Sequence, residues 1–259
     1  KQVLRWILGL AILFYIPAIY FASARAAILA VAFAMIMAFA VRKKIAQWIM
    51  PAGFVLLGCM LYFLAQNNTY LNYSTNKSQN YTQSSFKDAV AGVFNGEDMS
   101  TSERYYRWIA SIRMSKDRPV TGVGPNNFYD YYKSYTVSSF QTWVSYNEER
   151  STTHNYFLFM LVEQGWPAML LYAALVITFF YQGQRIYHQA KDPFYKKVCM
   201  GLIMMFAAGF VNNFFSELLE THKIGALFYW SISLLIIVGH LSWKENNRLR
   251  DPGQEEAIK

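Results

Sequence analysis

The residues of this chain best suited to chemistry gather between Ser102 and Gly165. Arg104 and Arg107 stand three apart, so a helix sets them about 60° from each other and lets both face one ligand, with Ser111 on the same side. Paired guanidiniums match phosphate oxygens bidentately. With Trp108 and Glu103 as neighbours, the same pair also suits cation–π or ion-pair roles. Arg113 projects from the opposite face and reads as structural. Gly122 and Gly124 bracket the turn TGVGPNN, whose backbone donors suit an anion and whose plainer reading is a turn alone. His154 follows Ser151, Thr152 and Thr153, all good caps, and falls in or near the first turn of an apolar helix. The positive helix end favours a neutral imidazole there. Such a ring takes a proton from a hydroxyl or donates a hydrogen bond to phosphate; the alternative is an interfacial histidine bonded to backbone or headgroup. Asn155 either orients a ligand or caps the helix. Glu163 is turned about 180° from His154, so the two form no dyad on one face, and Glu163 is expected to pair with another helix. Arg25 lies between two apolar runs in FASARAAILA. At a bilayer centre its guanidinium costs ~2.5–3.5 kcal/mol and needs a partner or an aqueous cavity; at the end of a hairpin it snorkels to the interface.

These residues have to be held by membrane helices. Of 259 residues, 54% are hydrophobic, 18% aromatic and 15% charged, the composition of a membrane protein. Six apolar segments are predicted to be helices: Val3 to Ala22, Ala26 to Val41, Ile45 to Ala65, Tyr156 to Tyr181, Val198 to Phe215 and Ile224 to Trp243. A helix of about 20 residues crosses the hydrocarbon core, and the shorter second segment implies tilt, local thinning or a re-entrant pair with the first. The expected fold is an all-α integral membrane protein of about six transmembrane helices with a large, partly helical periplasmic loop. The parts are residues 1–65 (three membrane helices), 66–155 (the loop with the site), 156–243 (three more) and 244–259 (a cytoplasmic tail). The chain begins at Lys1, and the expectation is the C-terminal half of a longer polytopic protein.

Basic residues set the orientation. Arg42, Lys43 and Lys44, then Arg185, Lys191, Lys196 and Lys197, then Lys244, Arg248 and Arg250 fall on one side if every segment spans. That side is cytoplasmic by the positive-inside rule. The loop then faces outward, and with nine Lys/Arg against eight Asp/Glu it leaves most of the net charge of +8 to the other side. The basic balance is therefore a topology signal and not a nucleic-acid signature. Cys59 and Cys199 lie in apolar runs and form no disulfide framework, and the four histidines show no metal-ligand spacing. Gln66 to Ser85 reads as polar loop, and its four N-x-S/T triplets follow from composition. From Ser102, a possible cap, Tyr105, Trp108, Ile109 and Ile112 share one helical side up to Pro119. The aromatic run Phe128 to Thr136 suits the membrane interface or stacking on sugars. Asn213, Glu217, Glu220 and His222 read as rim polarity.

Taken together, ARAA around Arg25, S-x-R-x-x-x-W at Ser102, Arg104 and Trp108, KDRPVTGVGPNNF, and THNYFLFMLVEQG resemble the O-antigen ligase and O-antigen polymerase superfamily of bacterial envelopes. The family carries serine before the first arginine, where this chain has Ala24, and about twelve membrane helices, of which this chain supplies half. The resemblance implies a C-type glycosyltransferase in the bacterial inner membrane with its active site facing the periplasm. It implies a donor glycan on undecaprenyl pyrophosphate and an acceptor that is glycan, lipid A-core or protein. It implies Arg25, Arg104 and His154 as functional residues, and neither metal nor cofactor. Arg107, Gly122, Gly124, Asn155 and Glu163 complete the expected site as substrate-binding residues. A non-catalytic carrier or flippase for the same lipid-linked glycan would show inverted repeats and midplane polar residues; no internal repeat is visible.

Overall fold

The computed structural model describes residues 2–21, 25–66, 99–137 and 152–248. The asparagine-rich stretch with its triplets, the Arg25 side chain and the tail past residue 248 lie outside the described residues. Every regular element among those described is helical: α1 (Gln2–Phe21), α2 (Arg25–Arg42), α3 (Ala46–Gln66), α4 (Met99–Asp117), α5 (Phe128–Tyr132), α6 (Tyr156–Gln189), α7 (Pro193–Asn212) and α8 (His222–Arg248). Six coincide with the six apolar segments, and α6, α7 and α8 are long and apolar enough to cross a membrane. α2 and α3 contribute the shorter apolar stretches Ala26–Arg42 and Ala46–Cys59.

The helices run further into polar sequence than apolarity alone predicts. α7 starts at Pro193, because Asp192 caps it by accepting from the Phe194 amide at 2.7 Å and Pro193 suits the first helical position. Ser102, read as a cap, lies inside α4. α6 is two helices meeting at a kink, since Gly165 has φ 82 and ψ 176. The sequence shows this only as the Gly165-Trp166-Pro167 step, which the segment assignment passed over.

The core joins α6, α7 and α8 through stacked rings. Phe206 lies 3.7 Å from Phe179 and 4.3 Å from Phe228, centroid to centroid, with Phe180 and Phe210 packed edge-on. α2 packs on α7, burying Ala30, Ala34, Met37, Ala40 and Val41. Small residues every fourth position bring helix backbones close, which matters where lipid is as apolar as the partner helix. The outward faces remain apolar, with Trp48, Leu56, Leu171 and Trp243 exposed.

Polar contacts pin both ends of this bundle. At one end His188 Nε2 lies 2.8 Å from the Val41 carbonyl, Gln184 Oε1 accepts from the Ala46 amide at 3.0 Å, and Asn246 Nδ2 donates to the Gln189 carbonyl at 2.9 Å. These bonds gather the ends of α2, α3, α6 and α8 that carry the basic clusters. At the other end the Tyr156 amide donates to the Asn213 carbonyl at 2.8 Å, and the Asn213 side-chain Nδ2 donates to the Tyr172 hydroxyl. The candidate site is built at this second end.

Candidate functional site

The site begins with a clasp between the 118–128 turn and the kink of α6. The Val123 amide donates to the Val162 carbonyl and the Gly124 amide to the Glu163 carbonyl, both at 2.9 Å, while the Trp166 amide donates to the Pro119 carbonyl at 2.8 Å. The Glu163 carboxylate, 2% exposed, accepts from the Asn126 amide at 2.7 Å and the Phe128 amide at 3.2 Å. The anion that this turn surrounds is thus the protein's own. Glycine is required twice. A Cβ on Gly122 would stand 2.3 Å from the Glu163 carbonyl carbon, and one on Gly165 would stand 2.1 Å from the Val120 carbonyl oxygen. Both residues also have positive φ. Inside the clasp Phe128 and Tyr132 pack with Ala110, Met114 and Val162. Two rings of the aromatic run are therefore core of the loop, and Tyr131 remains exposed beneath the Arg118 guanidinium.

α4 lies across this unit and carries the two arginines. Arg107, 6% exposed, donates to Glu103 Oε1 from Nε at 3.2 Å and from Nη2 at 3.1 Å, and from Nη1 to the Thr152 carbonyl at 3.1 Å. Its guanidinium also sits 5.9 Å from the Tyr132 ring centroid. From the next residue, Trp108 Nε1 donates to the Thr153 carbonyl at 2.9 Å. Arg113 donates to the Tyr135 carbonyl at 3.4 Å, the structural role expected for it.

Residues 152–155 run between α4 and the connection from α7 to α8. The Thr153 hydroxyl donates to Glu217 Oε1 at 2.7 Å, and the Asn155 amide donates to the same oxygen at 3.1 Å. Asn155 is the helix cap: its Oδ1 accepts from the Phe157 and Leu158 amides, each at 3.1 Å, and its Nδ2 donates to the Phe214 carbonyl at 3.3 Å. Thr152 and Thr153, expected as caps, instead form the approach to His154, and Ser151 lies outside the described residues. His154 stands just ahead of the cap with φ 50, the left-handed region that costs a non-glycine residue about 1–2 kcal/mol. Its side chain is 38% exposed, and Nδ1 lies 3.9 Å from Glu217 Oε2, a Coulombic distance and not a hydrogen bond.

Burial at His154 disfavours the imidazolium form. Burial lowers its pKa from the ordinary value; Glu217 opposes this, and the charges of Arg107 and Arg104 add to the lowering. The structure therefore brings Arg104, Arg107 and His154 into one field, with Arg107 committed to Glu103 and Thr152. Gly122 and Gly124 direct their amides at the Arg118 and Glu163 carbonyls. Glu163, expected to pair with another helix, meets a turn instead, because its reach goes to backbone amides 37 and 35 residues back. The residue that sequence reasoning undervalued is Glu217; the signal was an acidic residue in a short connection between apolar segments. Among the described residues no group of three or more His, Cys, Asp or Glu could hold a metal ion.

Comparisons with known proteins identify a family for this chain. The O-antigen ligase family model matches residues 10–173, a span that contains the clasp and the His154 turn. The exopolysaccharide production protein ExoQ of Rhizobium meliloti (strain 1021) is 28% identical over 160 residues, covering 58% of this chain and 34% of that protein. The chain thus spans about a third of that relative's length. No solved structure matches.

Proposed function

Because the chain belongs to the O-antigen ligase family, we propose that it transfers a glycan from undecaprenyl pyrophosphate to an acceptor hydroxyl at the periplasmic face of the inner membrane. The observation that carries this reading is the His154 turn, held by bonds from Arg107 and Trp108 of α4 to the Thr152 and Thr153 carbonyls and facing Glu217, at the polar end of an apolar bundle. In this reading Arg104 and Arg25 grip the pyrophosphate and neutralise the charge that develops as it leaves. The acceptor oxygen attacks the anomeric carbon as the bond from that carbon to the pyrophosphate oxygen breaks. The electron pair departs with the lipid pyrophosphate, and the configuration inverts. The hydroxyl proton passes to His154, whose ring faces the Glu217 carboxylate at 3.9 Å and is stabilised by it once protonated. Arginine supplies the charge compensation, so no step calls on a metal.

The acceptor is a growing polysaccharide in the version we favour. The name of the exopolysaccharide production protein points that way, whereas ligation to lipid A-core or to a protein hydroxyl uses the same donor chemistry. Replacing Arg104 by Ala is expected to lower transfer in membranes about 10²–10³-fold, the loss typical for one group that stabilises developing charge. Arg104→Lys retains part of the rate, because a lysine offers a point charge without the bidentate fork. Full transfer by Arg104→Ala at normal accumulation would overturn the role. The envelope glycans of a deletion strain separate the acceptors. A single unit still attached identifies a polymerase, and lipid-linked polymer accumulating unattached identifies a ligase.

A further inference from the structure

We infer that Trp108 and Arg107 are positioning residues for His154, and that they register it to the arginine on the same helix. This rests on the proposed role of His154 as the base. Trp108 Nε1 donates to the Thr153 carbonyl, immediately before the histidine, and Arg107 Nη1 donates to the carbonyl of Thr152, one residue further back. His154 then turns through a left-handed backbone conformation. Such a conformation persists where the surroundings over-determine it, and here they do so from two sides. α4 holds the carbonyls of residues 152 and 153, and Glu217 Oε1 holds the Thr153 hydroxyl and the Asn155 amide. Arg107 is itself immobilised by two bonds to buried Glu103.

The arrangement explains why an indole follows Arg104 by four residues. Positions four apart share a helix face, so Arg104 and Trp108 leave α4 on the same side. One rigid helix thereby carries the proposed phosphate grip and the tether of the proposed base. The distance between leaving group and base is then set by α4 and not by the loop. Small errors in such a distance are expensive, since a misplacement of about 1 Å costs on the order of 10²-fold in rate.

The test is Trp108→Phe in the full-length gene product in native membranes, assayed with undecaprenyl-pyrophosphate-linked repeat units extracted from the host. Phenylalanine keeps most of the packing and removes the donor. The expected result is a kcat about 10–100-fold lower with the KM for the lipid-linked donor within about twofold, since the grip on pyrophosphate is untouched. A wild-type kcat, or a raised KM with kcat intact, overturns the inference. Arg107→Lys is the second arm, because lysine keeps the charge but cannot serve Glu103 and Thr152 together; it is expected to show the same kcat-selective loss. If Trp108→Phe fails to accumulate, Arg107→Lys decides by the same criterion. His154→Ala separates this inference from the reading beneath it. Full transfer by His154→Ala ends the proposed mechanism, whereas a dead His154→Ala beside a normal Trp108→Phe ends only the tether.

Discussion

At the scale of single residues, the site is a balance of charges around one imidazole. Burial and two guanidiniums press the His154 pKa down, and the Glu217 carboxylate presses it up. The neutral ring is the form a base requires, so the acid limb of kcat should lie below the ordinary histidine range. Replacing Glu217 by Gln removes the one nearby influence that favours imidazolium more than any other, and the limb should move to still lower pH. A pH–rate profile checks this, and a limb displaced upward would contradict the assignment of His154 as base. The same depression bears on stability with a definite sign. As pH falls below about 6.5 the unfolded chain takes up the proton first, so stability present at neutral pH drains through that window. Glu217 is also a backbone anchor through Thr153 and Asn155, so Gln, which keeps a carbonyl acceptor, tests charge with the least disturbance of that anchor.

At the scale of elements, the proposed site rests on a clasp that has no secondary structure of its own. The 118–128 turn is held to the kink of α6 by backbone bonds and by Glu163, and two glycines leave the space for it. Gly165→Ala sets a methyl against the Val120 carbonyl at a positive φ, and should cost more than about 1 kcal/mol. Gly201→Ala in α7 meets nothing within 4 Å and serves as the control. Thermal unfolding in detergent, together with tryptic cleavage at Lys116 or Lys133, should separate the two, with only Gly165→Ala opening the loop. Gly165→Ala melting with the control would remove the clasp from the account. The six apolar helices were legible beforehand because each coincides with an apolar run, although the run of α6 also carries Glu163 and the Gly165-Trp166-Pro167 step at its kink. The clasp was not legible, and the reason is chemical. Glu163, Arg107 and Trp108 all bond to backbone groups on distant segments, and a backbone amide or carbonyl has no residue identity to betray it. His154 and Arg104 stood out by residue type, whereas Glu217 acts through proximity across 63 residues of chain, which periodicity does not encode. The positive φ at His154 was equally hidden, since nothing about a histidine announces a left-handed turn.

At the scale of the whole molecule, the bundle has two chemically distinct ends. His188, Gln184 and Asn246 tie together the end that bears Arg42, Lys43, Lys44, Arg185, Lys191, Lys197, Lys244 and Arg248. The clasp, the α4 arginines and His154 occupy the other end, beyond the kink. From Trp166 to Gln189 the straight part of α6 is about 36 Å long at 1.5 Å per residue, enough to separate the two ends by a hydrocarbon core of ~30 Å. Basic residues are retained on the cytoplasmic side, so the proposed orientation puts Thr121 of the clasp in the periplasm and Lys197 in the cytoplasm, both exposed. Single cysteines decide it. With Cys59 and Cys199 replaced by serine, Thr121→Cys should react with a membrane-impermeant maleimide once the outer envelope is opened. Lys197→Cys should react only after the inner membrane is permeabilised. Reversed labelling would place His154 in the cytoplasm and contradict the proposed periplasmic site. Equal labelling of both positions in intact spheroplasts would deny that the helices between them cross the membrane at all.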